Sequence, residues 1–343
     1  NTPDYTFSSS EAGTITYGGS CSSSTTSATT DNNTITLVSL SDDTYSDCTI
    51  TVTDNASNGV TLNISSFVVD TTAPTVSSVS SSTDNDSYKI NGNITVTVTF
   101  NENVIVDNSS GNPRIQLETG TNDRYANYVS GNSTSILSFL YTVQSGDNTT
   151  DLDYTSTSSL SANNGTIQDN ATNNANLTLL APGSSGSLGA NKDIVIDTTA
   201  PTVSSISTTA DNQSSVSITD NITVTFSEAM DNTSVTTNTD NTTCYGTLRV
   251  TSDNFSSCVQ MSSSSPESSD NITFTLDPSD NLTGGTTYLT RVTTGVKDAA
   301  GNAMSSQYDN STGFTTTSSS TQMGGSIQGT ELDLSTAVTT LAG

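Results

Sequence analysis

Four cysteines and a large excess of carboxylates are the side chains of this sequence that could do chemistry. The cysteines fall into two local pairs, Cys21 with Cys48 and Cys244 with Cys258. Neither pair has the C-x-x-C spacing of a metal knuckle, and with no His in the chain a zinc site is short of donors. The pairs read as two disulfides, each stabilising by about 3 kcal/mol through loop closure. An oxidising compartment follows, so the expected localisation is extracellular or at the cell surface.

The carboxylates number 34 against 7 Lys and Arg, for a formal charge of −27. Such a surface repels nucleic-acid phosphates and anionic lipid, which excludes both as partners and makes cations the natural small ligands. Catalysis is not expected. Without His, a Ser or Cys nucleophile lacks its usual base. A carboxylate pair could hydrolyse glycosides, but Trp is absent, aromatics are 6%, and the acids sit in repeated turns. The chain therefore reads as a non-enzyme.

The elements that carry these residues are strands. Hydrophobic residues are only 30% of the chain, yet "NITVTVTF" (93–100), "NITVTF" (221–226) and "NITFTL" (271–276) alternate apolar residues with Thr at period two, as half-buried strands do. The Thr β-branch favours extended backbone, and its hydroxyl tolerates the wet face of a sheet. Helical periodicity is absent outside the last dozen residues. No apolar run is long enough to span a bilayer or form a signal peptide. Beginning at Asn1, the chain reads as a processed form or a fragment.

Three phrases recur. "VVDTTAPTV" (68–76) returns as "VIDTTAPTV" (195–203). "VTDNASNGV" (52–60), "IQDNATNNA" (167–175) and "VKDAAGNAM" (296–304) each join an apolar strand end, an Asp and a short turn, which is hairpin chemistry. Upstream, "YTFSSSEAG" (5–13), "VTFNENV" (98–104) and "VTFSEAM" (224–230) each end a strand in Phe and follow it with Glu. The repeats divide the chain into domains at 1–70, 71–197 and 198–317, with a tail at 318–343. Each domain places a Tyr before its last hairpin, Tyr45, Tyr154 and Tyr288, like the Tyr that opens strand F of immunoglobulin-like sandwiches.

With these motifs, and with "DDTYSDCTITVTDNASN" and "LTGGTTYLTRVTTGVKDAAGNAMS" beside them, the whole chain resembles tandem bacterial Ig-like (Big-type) domains of extracellular surface proteins. The fold this implies is all-β, three tandem immunoglobulin-like β-sandwiches in an extended chain. The tail "GGSIQGTELDLSTAVTTLAG" (324–343) resembles the lead-in to an NHL-repeat propeller. Such domains serve adhesins, stalks and filaments alike, so the resemblance leaves the job open.

In that frame the Asp-Thr-Thr-Ala-Pro phrase is the joint between sandwiches, stiffened at Pro74 and Pro201, where φ is fixed and no N–H is available. Ig-like topology gathers loops at these joints. It implies Asp70, Glu102 and Asp169 at the first, with Asp42 and Asp43 nearby. At the second it implies Asp197, Glu228 and Asp298, with Asp147, Asp151 and Asp153 nearby. Such hard oxygens suit Ca²⁺, the one cofactor expected, against the plainer reading of carboxylates that cap turns. Asn-x-Ser/Thr sequons, including Asn93, Asn221 and Asn271, are acceptors for glycan.

The 1–70 domain starts with the strand that is second in the other two, so its first strand either comes from a partner or was cut off with a longer chain upstream of Asn1. The tail carries spare apolar residues, Ile327, Leu332, Leu334, Val338 and Leu341, and is the candidate donor strand. Repeated between subunits, that contact makes an open filament. The expected function is a structural subunit of an extracellular bacterial surface filament, sheath or stalk, a homopolymer assembled head to tail. The alternative is an adhesin segment that binds glycan or protein, such as a host or surface ligand, through its loops.

Overall fold

The computed structural model describes residues 2–207 and 211–318. Its chain forms two compact units, one ending at Thr199 and one beginning at Ala200. Three hydrophobic clusters fill them, two in the first unit and one in the second.

The first cluster is enclosed by β1 (Asp4–Ser9), β2 (Gly13–Gly18), β3 (Ser27–Ala28), β4 (Asp31–Thr36), β5 (Asp43–Tyr45), β6 (Thr49–Thr53), β7 (Gly59–Asn63) and β8 (Phe67–Val69). β1 pairs with β4, β5 with β8, and β3-β2-β6-β7 make the facing sheet. Alternation sends Phe7, Ile15, Ile35 and Ile50 inward, while Thr6 and Thr34 bond hydroxyl to hydroxyl on the outer face at 2.9 Å. Cys21 and Cys48 are disulfide-bonded inside this core.

The second cluster lies within β9 (Val76–Ser81), β10 (Ser87–Tyr88), β11 (Asn93–Asp107), β12 (Arg114–Glu118), β13 (Arg124–Ser130), β14 (Thr134–Thr142), β15 (Asp153–Tyr154), β16 (Leu160–Ser161), β17 (Thr166–Gln168), helix α1 (Leu188–Asn191) and β18 (Val195–Ile196). β11 organises it. Its first half runs between β9 and β14, and its last residues pair with β17. The β11–β14 register shifts between Thr99 and Val104, an irregularity of the kind that bends a strand and re-aims side chains. Glu102 sits within it.

α1 is the element that periodicity could not announce. It is one turn long, too short for a 3.6-residue pattern, and it is held by Ser187, whose side chain accepts from the Ala190 N–H. The helical turn expected in the last dozen residues lies outside the described residues, as does the whole candidate donor strand.

The second unit packs β19 (Val203–Ser207), β20 (Ile222–Phe226) and β22 (Thr273–Leu276) against β21 (Leu248–Thr251), β23 (Thr287–Val292), β24 (Tyr308–Asp309) and β25 (Phe314–Thr315). Phe226 and Phe274 meet edge to face at 5.8 Å, and Cys244 is disulfide-bonded to Cys258. The three "NIT" stretches fall on β11, β20 and β22, with their apolar residues buried apart from half-buried Ile272 just before β22. The protein is all-β and Ig-like.

Candidate metal centre

The repeated hairpin Asp is first of all a turn builder. Asp54, Asp169 and Asp298 each use both carboxylate oxygens on the Asn four residues on. Its backbone N–H donates to one oxygen and its side-chain Nδ2 to the other, at 2.7 to 2.9 Å. The turn also needs a left-handed residue just before that Asn, supplied by Ser57, Thr172 and Gly301. The Asn was missed in the sequence reading, although D-x-x-x-N stands in all three copies.

The Asp-Thr-Thr-Ala-Pro phrase is held from both sides. Asp70 accepts the Thr72 N–H at 3.0 Å, and Asp42 accepts the Thr71 N–H at 3.0 Å and the Thr71 and Thr72 hydroxyls at 2.7 and 2.8 Å. These bonds, that from the Thr71 hydroxyl foremost, hold the Asp42 carboxyl below its usual pKa. Beyond Pro74, Thr75 and Asn101 bond each other through the Thr75 N–H to Asn101 Oδ1 and the Asn101 N–H to the Thr75 carbonyl. In the second unit Thr202 and Ser227 do the same.

One oxygen each of Asp70, Glu102 and Asp169 lies within 4.8 Å of the others. β8 leads into Asp70, the irregularity in β11 presents Glu102, and the hairpin clip after β17 presents Asp169, which is 3% exposed. Asn173 ties the set together, since its Nδ2 also donates to the Asp70 carbonyl at 3.0 Å. Burial, reinforced by the Asp70 and Asp169 charges, pushes the Glu102 carboxyl above its ordinary pKa. Neither ion pair among the described residues, Arg124–Asp147 and Arg291–Asp309, reaches this cluster. The donor set is therefore hard, anionic and uncompensated, which fits a Ca²⁺ ion and not zinc.

Five expected neighbours, Asp42, Asp43, Asp147, Asp151 and Asp153, are not in the cluster. Asp42 is occupied by the two threonines and Asp43 by the Thr44 N–H. Asp147 is fully buried and holds Arg124 at 2.8 Å and the Tyr141 hydroxyl at 2.6 Å, a structural lock within the second core. Asp151 and Asp153 flank Gly189 of α1, and Asp153 accepts the Gly183 N–H. Asp197 ends the first unit and caps Thr199. Glu228 and Asp298 belong to the second, where Asp298 is 1% exposed and bridges Met230.

Two of the three predicted tyrosines bond a few residues upstream, as a strand-F corner requires. Tyr45 donates to the Ser41 carbonyl, and Tyr288 accepts the Thr283 N–H. Tyr154 donates instead to the Leu180 carbonyl.

Residues 197–316 match the family model of the bacterial Ig-like domain. This segment is similar to bacterial Ig-like domains. The match opens on the Asp of the second joint phrase, so Asp197, Glu228 and Asp298 all fall within the matched residues. Comparison with curated proteins gave no match. Bacterial Ig-like domains typically occur in surface or extracellular proteins, in keeping with two disulfides. Among the described residues no helix is long and apolar enough to cross a membrane.

Proposed function

We propose that this protein is a non-catalytic structural subunit of an extracellular bacterial filament, sheath or stalk, joined to further copies of itself by strand addition at the first core. One observation carries the reading. β11 and β20 each have an antiparallel neighbour on both sides, whereas β1, which shares their Thr-Phe pair, pairs only with β4 among the described residues. Open strand edges invite another strand. Calcium at Asp70, Glu102 and Asp169 would neutralise the joint and stiffen it.

The adhesin reading ranks second, because sugar stacking and protein hot spots call for clustered aromatics. The large exposed aromatics, Tyr125 and Tyr245, lie in different units. Negative-stain electron microscopy of native material, with and without EDTA, tests the proposal. Filaments in calcium that become flexible in EDTA are the expected result. Isolated rods in both conditions would defeat it.

A further inference from the structure

The register of the large sheet around the second core lays out its outer face. Arg114 lies opposite Asn127, Asn127 opposite Leu140 and Leu140 opposite Thr95, so one row crosses β12, β13, β14 and β11. Gln116 stands opposite Tyr125 in the row on one side, and Ser138, Thr97 and Ser80 form the row on the other. The alternate residues of the same strands, such as Ile115, Ala126, Phe139 and Val96, fill the core. These rows carry no carboxylate, although the chain has 34. The next residue on that side of β12, Glu118, stands opposite Asp153 at the end of the strand.

The cation of this face is Arg114, whose Cζ lies 4.0 Å from the centre of the Tyr125 ring. The other arginines are engaged, since Arg124 and Arg291 hold aspartates and Arg249 donates to the Gly246 carbonyl. Among the described residues the Arg114 side chain forms no ion pair, and its Nε is covered and unbonded. Stacking on the ring fixes the guanidinium plane and leaves its terminal nitrogens, a fork that matches a carboxylate, for an acceptor from outside. Asn127, next to it in the row, turns an exposed amide to solvent. Gln116 uses its side-chain oxygen to accept from the Thr155 hydroxyl at 3.4 Å, and Tyr125 keeps 40% of its surface open.

We infer that this face binds a polysaccharide bearing isolated carboxylates, with Arg114 on a carboxylate, Asn127 and Gln116 on neighbouring hydroxyls, and Tyr125 against the sugar ring. Charge selects this ligand. A polyanion with closely spaced charges, such as nucleic acid, is repelled by the net −27 of the chain. A lone carboxylate delivered to an acid-free face meets the guanidinium, while exposed charges farther than about 8 Å away are largely screened at physiological salt. A peptide fits less well, because these strands already have neighbours on both sides and offer it no edge to extend. The contact is through a sheet face of the first unit, distinct from the loop-borne adhesion weighed above, and does not depend on the filament reading.

The test is calorimetric titration of the full-length protein with gellan oligosaccharides, which carry a single uronate in each repeat. EDTA is present so that no divalent ion can bridge the sugar to the carboxylates of the chain. Binding by the wild type is expected, weakened about tenfold to a hundredfold in R114Q and by the same factor when the uronates are reduced to alcohols. R114K, which keeps the charge and loses the fork, should fall between. The reduced sugar puts the question to unaltered protein, so a folding defect in R114Q cannot mimic the result. No binding by the wild type, equal binding by R114Q, or equal binding of the reduced sugar would each overturn the proposal. So would tighter, Arg114-dependent binding of a poly-glutamate peptide, which would make the face a protein interface.

Discussion

The turn after β6 and the turn after β17 are the same object in two settings. Both clip an Asp to the Asn four residues on through the same pair of hydrogen bonds. Asp54, half-buried, looks onto a groove beside β1, while Asp169 is nearly fully buried next to Asp70 and Glu102. Since the clips are alike, the clip itself is hairpin chemistry. The candidate metal centre comes from what packs against it, a joint phrase that brings one carboxylate and an irregular strand that brings another. The same packing closes the second core along β9 and leaves the first core open.

The largest expected effect separates the two cores of the first unit. The first holds a buried disulfide and fewer large side chains; the second has no disulfide among the described residues. Replacing Cys21 and Cys48 with Ala should cost about 2–5 kcal/mol, read from urea unfolding followed by tyrosine fluorescence. A loss below about 1 kcal/mol would mean that the first core stands without its staple.

Calcium should distinguish the two clips next. A ligand that binds only the folded state stabilises by about 2.7 kcal/mol at a hundredfold excess over its Kd. Calcium should therefore raise the melting temperature of the wild type and of D54N, and leave D169N unmoved. Equal responses from D54N and D169N would erase the proposed difference between the two turns. Isothermal titration of E102Q, which keeps the side-chain volume but removes a charge, should show the heat of binding reduced or lost.

The Asn partners give a smaller contrast. N173A leaves a buried carboxylate without two donors, and a deserted buried acceptor costs about 1–3 kcal/mol. N58A leaves a carboxylate that water can reach, and about 1 kcal/mol or less is expected. Hydrogen exchange at the Asp54 and Asp169 amides, which donate to the carbonyls of Asn58 and Asn173, would localise each loss to its own hairpin.

Much of this was legible in the sequence because it is written in short-range patterns. Period-two Thr alternation marked β11, β20 and β22, and the repeated Asp and Glu positions led to the triad once an Ig-like topology was supposed. What escaped depends on contacts far along the chain. Asp147 was expected near the second joint with Asp151 and Asp153, from the loop order of an Ig-like topology, but burial against Arg124 and Tyr141 removes it from any surface site. Asp42 has the right place and the wrong partners, since two threonine hydroxyls and a backbone N–H already occupy it. Neither fact has a local signature.

Glu102 and Asp42 face the same phrase and should answer pH with opposite signs. Glu102 is held above the pKa of the unfolded chain by burial and by its two acidic neighbours. Its contribution to stability is therefore present while it is protonated and is lost as pH rises through its folded pKa. Asp42 is held below its unfolded value by the threonine hydrogen bonds. Its contribution is present above the unfolded pKa and is lost as pH falls through the folded one. Urea midpoints between roughly pH 3 and 7, around the usual carboxylate values near 4, should separate the two in EDTA. E102Q should gain stability over the wild type towards neutral pH and converge with it in acid. D42A should lose stability at neutral pH and converge in acid as well, because there the wild-type carboxyl has surrendered its advantage. With calcium present the E102Q gain should reverse, since the ion turns the repulsion that raised Glu102 into attraction. A gain that persists in calcium would mean that Glu102 crowds the joint without serving it.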